Sequence, residues 1–260
     1  MPISITPNLA SPIPFDIYPP QPLLEDDDSS SVILILQGVE IDKLEYTAIA
    51  TELTKHQFWV IVPNCFPVGR DYLCPDNSSA AKVFAALKPS SCPSLNNALD
   101  RGVILLGHSA GGMAAFGTVG ANSPELSSQL MAIVTYGSNA PSNTSAIAPL
   151  PPILMLSGEK DSVVPQTLSR SAFQRIPAPA KTFIELTGLN HYSINDSPQP
   201  SGAPEEDNTA DFSNQDSVRS IAFLLSCFVH SVQSQQENWL SAIDRDIVSA
   251  IGYTESTSKG

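Results

Sequence analysis

Short apolar runs, each closed by glycine, proline or a polar residue, recur along the chain: Val32–Leu36, Phe58–Val62, Val103–Leu106, Met131–Tyr136, Ile153–Leu156 and Thr182–Leu186. Most are continuous rather than alternating, which predicts strands buried on both faces of a parallel sheet. Between them the pattern changes period. Residues 44–56 are helical in periodicity, and 78–87 predicts a helix that Asn77 caps. Alanine and methionine favour a helix over 110–116, and another is expected at 166–175. Over 217–233, Val218, Ile221, Leu225 and Phe228 form one apolar stripe of a helix. A last helix is expected at 237–250, with a frayed end beyond it. Residues 1–30 read as a proline-rich arm or edge strands, and 64–77 as a loop. Residues 195–213 read as an acidic loop with little to bury, free to move.

Strands alternating with helices predict an α/β fold of three layers with a mostly parallel central sheet. One domain over 1–260 suits that pattern. Right-handed crossovers place all the strand C-terminal ends on one edge, where ligands of such sheets bind.

Charge narrows the partners. The formal charge is −13, from 13 basic and 26 acidic residues. Nucleic acid is excluded because no positive surface meets its phosphates. Adsorption to an anionic membrane is disfavoured for the same reason. No apolar run reaches transmembrane length, and the N-terminal MPISITPNLASPIPF lacks a signal-peptide pattern, so a cytoplasmic location is the expectation. Cys65, Cys74, Cys92 and Cys227 do not have metal-site spacing. The oligomeric state is left open.

The strand ends carry the chemistry. Gln37-Gly38-Val39 follows the first strand, and Gly107-His108-Ser109-Ala110-Gly111-Gly112 follows the third. Ser157-Gly158-Glu159-Lys160-Asp161 and Thr187-Gly188-Leu189-Asn190-His191 follow the last two. A nucleophile, an acid and a base thus fall on one edge in the order Ser109, Asp161, His191. A serine hydroxyl needs a base to take its proton. His191 is the candidate, since His108 adjoins the serine and points away from it, His56 ends a helix, and His230 lies on the C-terminal one. Asp161 is the candidate to orient that base. Glu159, Glu185 and Asp196 are its rivals. The backbone N–H of Ala110, at a helix start where such groups are unpaired, suits a developing oxyanion.

GHSAG matches the G-x-S-x-G nucleophile elbow. The segments LILQGVEIDKLEYTAIATEL, FWVIVPN, GVILLGHSAGG, ILMLSGEKDSVVP and LTGLNHYSI resemble the α/β-hydrolase superfamily. Within it they look like the dienelactone-hydrolase, chlorophyllase and polyester-hydrolase-like group. The resemblance covers roughly residues 32–195. It implies catalysis by Ser109, Asp161 and His191, with the N–H of Val39 as second oxyanion donor beside Ala110. It implies no metal or organic cofactor. Four departures bear on substrate. Gln37 stands where many relatives carry histidine, and can brace its loop. Val39 replaces an aromatic residue common in polyester-degrading relatives. Ala110 replaces a bulkier charged residue usual in chlorophyllases, and Ser109 replaces the cysteine of dienelactone hydrolases proper.

The connection between the fourth and fifth strands is too short for a full helical lid, so no large lid domain is expected. Phe66, Tyr72, Met113, Ile147 and Tyr192 are candidate cleft walls. The expected activity is serine carboxylic-ester hydrolysis through an acyl-enzyme, on an uncharged or apolar small-molecule ester. The alternatives are chlorophyllase-like or lipase-like hydrolysis of long-chain esters, and a non-catalytic ligand-binding protein of the same fold. If the 195–213 loop folds over the cleft, its acids disfavour anionic substrates.

Overall fold

In a computed structural model, the described residues are 3–5, 15–22, 30–63, 79–87, 92–120, 124–141, 149–178, 180–236, 239–242 and 251–258. The strands are β1 (Ile3–Ile5), β2 (Phe15–Tyr18), β3 (Val32–Leu36), β4 (Trp59–Pro63), β5 (Val103–His108), β6 (Leu130–Tyr136), β7 (Ile153–Gly158), β8 (Ala180–Leu186) and β9 (Ile251–Ser258). The helices are α1 (Thr47–Lys55), α2 (Ser79–Leu87), α3 (Pro93–Arg101), α4 (Ala110–Gly120), α5 (Pro124–Gln129), α6 (Gln166–Arg175) and α7 (Asn214–Ser234). Short 3-10 turns span Lys43–Tyr46 and Trp239–Ala242.

The sheet runs β1-β2-β4-β3-β5-β6-β7-β8-β9. Strands β4, β3, β5, β6, β7 and β8 are parallel to their neighbours in that series. Antiparallel strands close both edges, β1 and β2 at one and β9 at the other.

Successive side chains of a strand face opposite sides, and here each side has its own helices. Ile33, Ile35, Val60, Val62, Ile104, Leu106, Val134, Leu154 and Ile184 pack with Ile49 and Leu53 of α1 and with Val218, Ile221, Leu225 and Phe228 of α7. The alternate residues Val32, Leu34, Ile61, Leu105, Ile133, Met155 and Phe183 pack with apolar residues of α2 through α6. This is a three-layer α/β architecture with a mostly parallel central sheet, consistent with an α/β-hydrolase-like fold. Among the described residues the connection from β6 to β7 holds no helix, and no described helix is long and apolar enough to cross a membrane.

Several elements depart from the sequence pattern. Helix α3 starts with Pro93 in its first turn and buries Leu95, Ala98 and Leu99 on one side, a cue hidden in a polar stretch. Of the expected 237–250 helix only Trp239–Ala242 is described, as a 3-10 turn, and the end expected to fray beyond it is instead strand β9. That strand pairs along the whole of β8, from Ala180 opposite Ser258 to Leu186 opposite Ile251. A polar segment completes a sheet edge through its backbone, which no apolar pattern announces. Helix α7 begins at Asn214, because the Ser213 side chain accepts a hydrogen bond from the N–H of Asp216. The expected cap at Asn77 and the 64–77 loop lie outside the described residues.

Helix α4 presses its first turn against the end of β3. A Cβ on Gly111 would stand 2.0 Å from the carbonyl oxygen of Leu36, and one on Gly107 would stand 2.4 Å from the Cα of Gly112. A Cβ on Gly117, in the same helix, meets nothing within 4 Å. Gly111→Ala should therefore lower unfolding free energy by about 2 kcal/mol, as overpacking does. Gly117→Ala should raise it by about 0.5–1 kcal/mol, by restricting the unfolded chain. Urea denaturation of the two variants beside the parent checks both signs.

Candidate active site

Chain order moves from β3 to β4 in one direction and then resumes at β5 on the other side of β3. Such a reversal opens a crevice beyond the strand C-termini. Ser109 stands there, between β5 and α4, half-buried and with φ +54°. A serine in that left-handed region costs on the order of 1 kcal/mol. Two neighbours hold it. Its N–H donates to the Tyr136 carbonyl at 3.0 Å, and its carbonyl accepts from the Ser138 hydroxyl at 2.6 Å.

His191 and Asp161 form a buried pair, 1% and 5% exposed. His191 Nδ1 lies 2.8 Å from Asp161 Oδ2. A carboxylate oxygen accepts, so Nδ1 donates here, and in the neutral ring Nε2 would then be the basic nitrogen. Asp161 Oδ1 accepts the N–H of Val164 at 2.7 Å, which fixes the carboxylate's direction.

Gly137 connects this pair to the serine. It follows Tyr136, which holds Ser109, and has φ +54°. A Cβ there would stand 2.8 Å from Asp161 Oδ2 and 2.9 Å from His191 Nδ1. Ser109, bonded to Tyr136 and Ser138, and the Asp161–His191 pair, packed against Gly137, therefore adjoin consecutive residues at the end of β6. The serine hydroxyl itself is not hydrogen-bonded to the imidazole.

The turn after β3 abuts the serine as well. A Cβ on Gly38 would lie 3.3 Å from Ser109 Cβ. Gln37 Nε2 donates to the Ile41 carbonyl at 2.9 Å and braces this turn, with Val39 half-buried at its crest. Ala110 is the first residue of α4, where N–H groups point out of the helix end.

The rival residues are engaged elsewhere. Glu159 accepts the N–H of Gly188 at 2.9 Å, Glu185 faces Arg170, and Asp196 accepts the N–H of Ala48. His230 stacks on Phe58. His108 is fully buried under the turn. Its Nδ1 meets the Tyr46 hydroxyl at 2.9 Å and its Nε2 meets the His191 carbonyl at 3.0 Å. Burial, reinforced by the neighbouring His191 ring, holds the His108 pKa well below the usual histidine range. Burial likewise raises the phenols of Tyr46 and Tyr136, which stay neutral.

Of the expected walls, Phe66, Tyr72 and Ile147 lie outside the described residues. Met113 is half-buried on α4. Tyr192 is no wall: it is fully buried, with its hydroxyl on the Pro204 carbonyl.

The 195–213 segment is tied down rather than loose. The N–H of Asp196 donates to the Glu45 carbonyl at 2.8 Å, and the N–H of Ser197 to the Glu45 carboxylate at 2.9 Å. Lys160 pairs with Asp211. The Glu206 carboxylate accepts the N–H groups of Ser162, His191 and Asn208 and the Ser162 hydroxyl. It thus clamps the residue after Asp161 to His191. No local sequence signal marks Glu206; only the folded chain brings these amides together.

Among the described residues no cluster of three or more His, Cys, Asp or Glu side chains is arranged to hold a metal ion. No family model matches this chain, and a search of curated proteins finds no match. What places it is topology: the arrangement resembles the general α/β-hydrolase one.

Two stability predictions follow from these bonds. Glu206→Ala leaves the amides of Ser162 and His191 without their acceptor and should cost about 2 kcal/mol in urea denaturation. Glu206→Gln, which keeps an acceptor oxygen, should cost less. The second concerns pH. His108 has a folded pKa below its unfolded value, so above pH ~6.5 both states are unprotonated and the difference contributes nothing. As pH falls below that, the unfolded chain takes up a proton that the folded one refuses. Stability should then fall by up to about 1.4 kcal/mol per pH unit. His108→Asn should flatten that slope between pH 6.5 and 5.

Proposed function

We propose that this protein is a serine-type carboxylic-ester hydrolase. The observation that carries the reading is the buried Asp161–His191 pair held against the same backbone as a serine in a left-handed strand-to-helix turn. In the proposed cycle Ser109 Oγ attacks the acyl carbon as its proton passes to His191 Nε2. The amides of Ala110 and Val39 hold the oxyanion. The imidazolium, offset by Asp161, returns the proton to the departing alcohol, leaving an acyl-enzyme. Water then gives a proton to His191 and attacks the acyl carbon, and His191 returns that proton to Ser109 Oγ as the acid leaves. Serine–imidazole contacts are often long without substrate and tighten in the complex, so the open hydroxyl of Ser109 suits this cycle.

An uncharged or apolar ester is the proposed substrate. Support comes from the acidic balance of the chain and from Glu206, whose carboxylate accepts the main-chain N–H of His191. Long-chain esters of lipase or phytyl type remain within the proposal, and the chain-length series below separates them. The unbonded Ser109 hydroxyl also favours a second reading, a ligand-binding protein of this fold without turnover.

A fluorophosphonate probe separates the two. The hydrolase reading expects labelling at Ser109, abolished in Ser109→Ala. It also expects turnover of nitrophenyl esters, reduced by about a thousandfold or more in that variant. An intact, folded protein that neither labels nor cleaves any ester from acetate to palmitate would be the binding protein.

A further inference from the structure

His108 takes no part in the proposed proton transfers, yet it is bonded to every segment that does. It precedes Ser109 in the chain. Its Nε2 lies 3.0 Å from the carbonyl oxygen of His191. Its Nδ1 lies 2.9 Å from the Tyr46 hydroxyl, and that hydroxyl accepts the N–H of Gly38 at 2.8 Å. Gly38 adjoins Val39. One ring, with one phenol, thus joins the serine, the main chain of the candidate base and the turn of the candidate oxyanion donor.

The direction of each bond is determined. A carbonyl only accepts, so His108 Nε2 carries the hydrogen. Nδ1 is then the bare nitrogen and accepts the Tyr46 hydroxyl hydrogen, while the Tyr46 oxygen accepts from Gly38. The groups around the ring are Tyr46, Tyr136, Tyr192 and His191, with ring centroids 5.9, 6.0, 6.2 and 4.8 Å away. No carboxylate is bonded to it, so nothing there favours a second ring proton.

We propose that His108, as its Nε2–H tautomer, is a positioning residue that sets the spacing between the turn after β3 and the main chain of His191. It acts through its neighbours and transfers no proton itself, although its ring packs against that of His191 with centroids 4.8 Å apart. Its kinetic consequence rests on the hydrolase reading above; the hydrogen-bonded tie does not.

Two measurements test it. Long-range proton–nitrogen correlation on the intact, nitrogen-15-labelled protein reports the protonation of each of the four histidine rings. One ring should show a protonated Nε2 and a bare, hydrogen-bonded Nδ1, unchanged from pH 5.5 to 8.5. Tyr46→Phe, which keeps the ring in place, should move that Nδ1 signal and so assign it to His108. If the ring so assigned carries its proton on Nδ1, or titrates in that interval, the tie is wrong whatever the activity.

The second measurement is kinetic. Tyr46→Phe and His108→Asn should each lower kcat for a nitrophenyl ester by about tenfold or more, with KM changed less than about threefold. The double variant should be no slower than the worse single one, because both cut the same chain of bonds. Unchanged kcat, or losses that multiply, would overturn the positioning role. A parent protein without any ester turnover would instead sink the hydrolase reading and the kinetic role with it, while the nitrogen spectrum would still decide the tie.

Discussion

The hydrogen bond from the Ser109 N–H to the Tyr136 carbonyl is the constraint on which the site is built. It extends the parallel ladder of β5 and β6, which already sets His108 opposite Tyr136, by one residue past the end of β5 onto the last residue of β6. A serine forced to positive φ would otherwise relax. Here the ladder, the Ser138 hydroxyl and the close approach of α4 to Leu36 hold it from three directions. The residue after Tyr136 must then be glycine, because Asp161 and His191 fill the space its side chain would need. A one-residue slip of β6 would move the wrong carbonyl and the wrong side chain into that corner.

Much of the framework was legible in the chain. Strands β3 to β8 are runs that nothing but a sheet covered on both faces would bury, and they form the sheet as expected. The candidate serine, acid and base were legible because each follows an apolar run within a few residues. What escaped were elements without an apolar signal. Strand β9 adds to the sheet by backbone pairing, and α3 hides its buried Leu95, Ala98 and Leu99 in a polar segment. The 195–213 segment was misread for a related reason. Judged by what it can bury it has little to hold it, but it is held by carboxylates on backbone amides. Long-range bonds of this kind, like those of Tyr46 and His108, leave no trace in spacing.

Those carboxylates also change the meaning of the acidic composition. Glu45, Glu159, Asp196 and Glu206 each accept main-chain N–H groups from a distant segment. A carboxylate that accepts such donors ties two stretches of chain together. Part of the net negative charge is therefore framework, arranged around the strand ends, and not merely a solubilising surface.

Behind the strand ends the polarity is of another kind. Tyr46, His108 and Tyr136 are buried and kept uncharged, so their bonds direct backbone groups without adding a field. Among the described residues, the buried ion-capable pair there is Asp161 with His191. In a poorly solvated interior an extra charge close to that pair would compete for its proton or repel its cation. The link from His108 to the His191 carbonyl is uncharged in this sense, while carboxylates meet His191 at its ring, through Asp161, and at its main-chain N–H, through Glu206. An uncharged group on the carbonyl side and a carboxylate on the ring are the division that the proposed proton transfer would use.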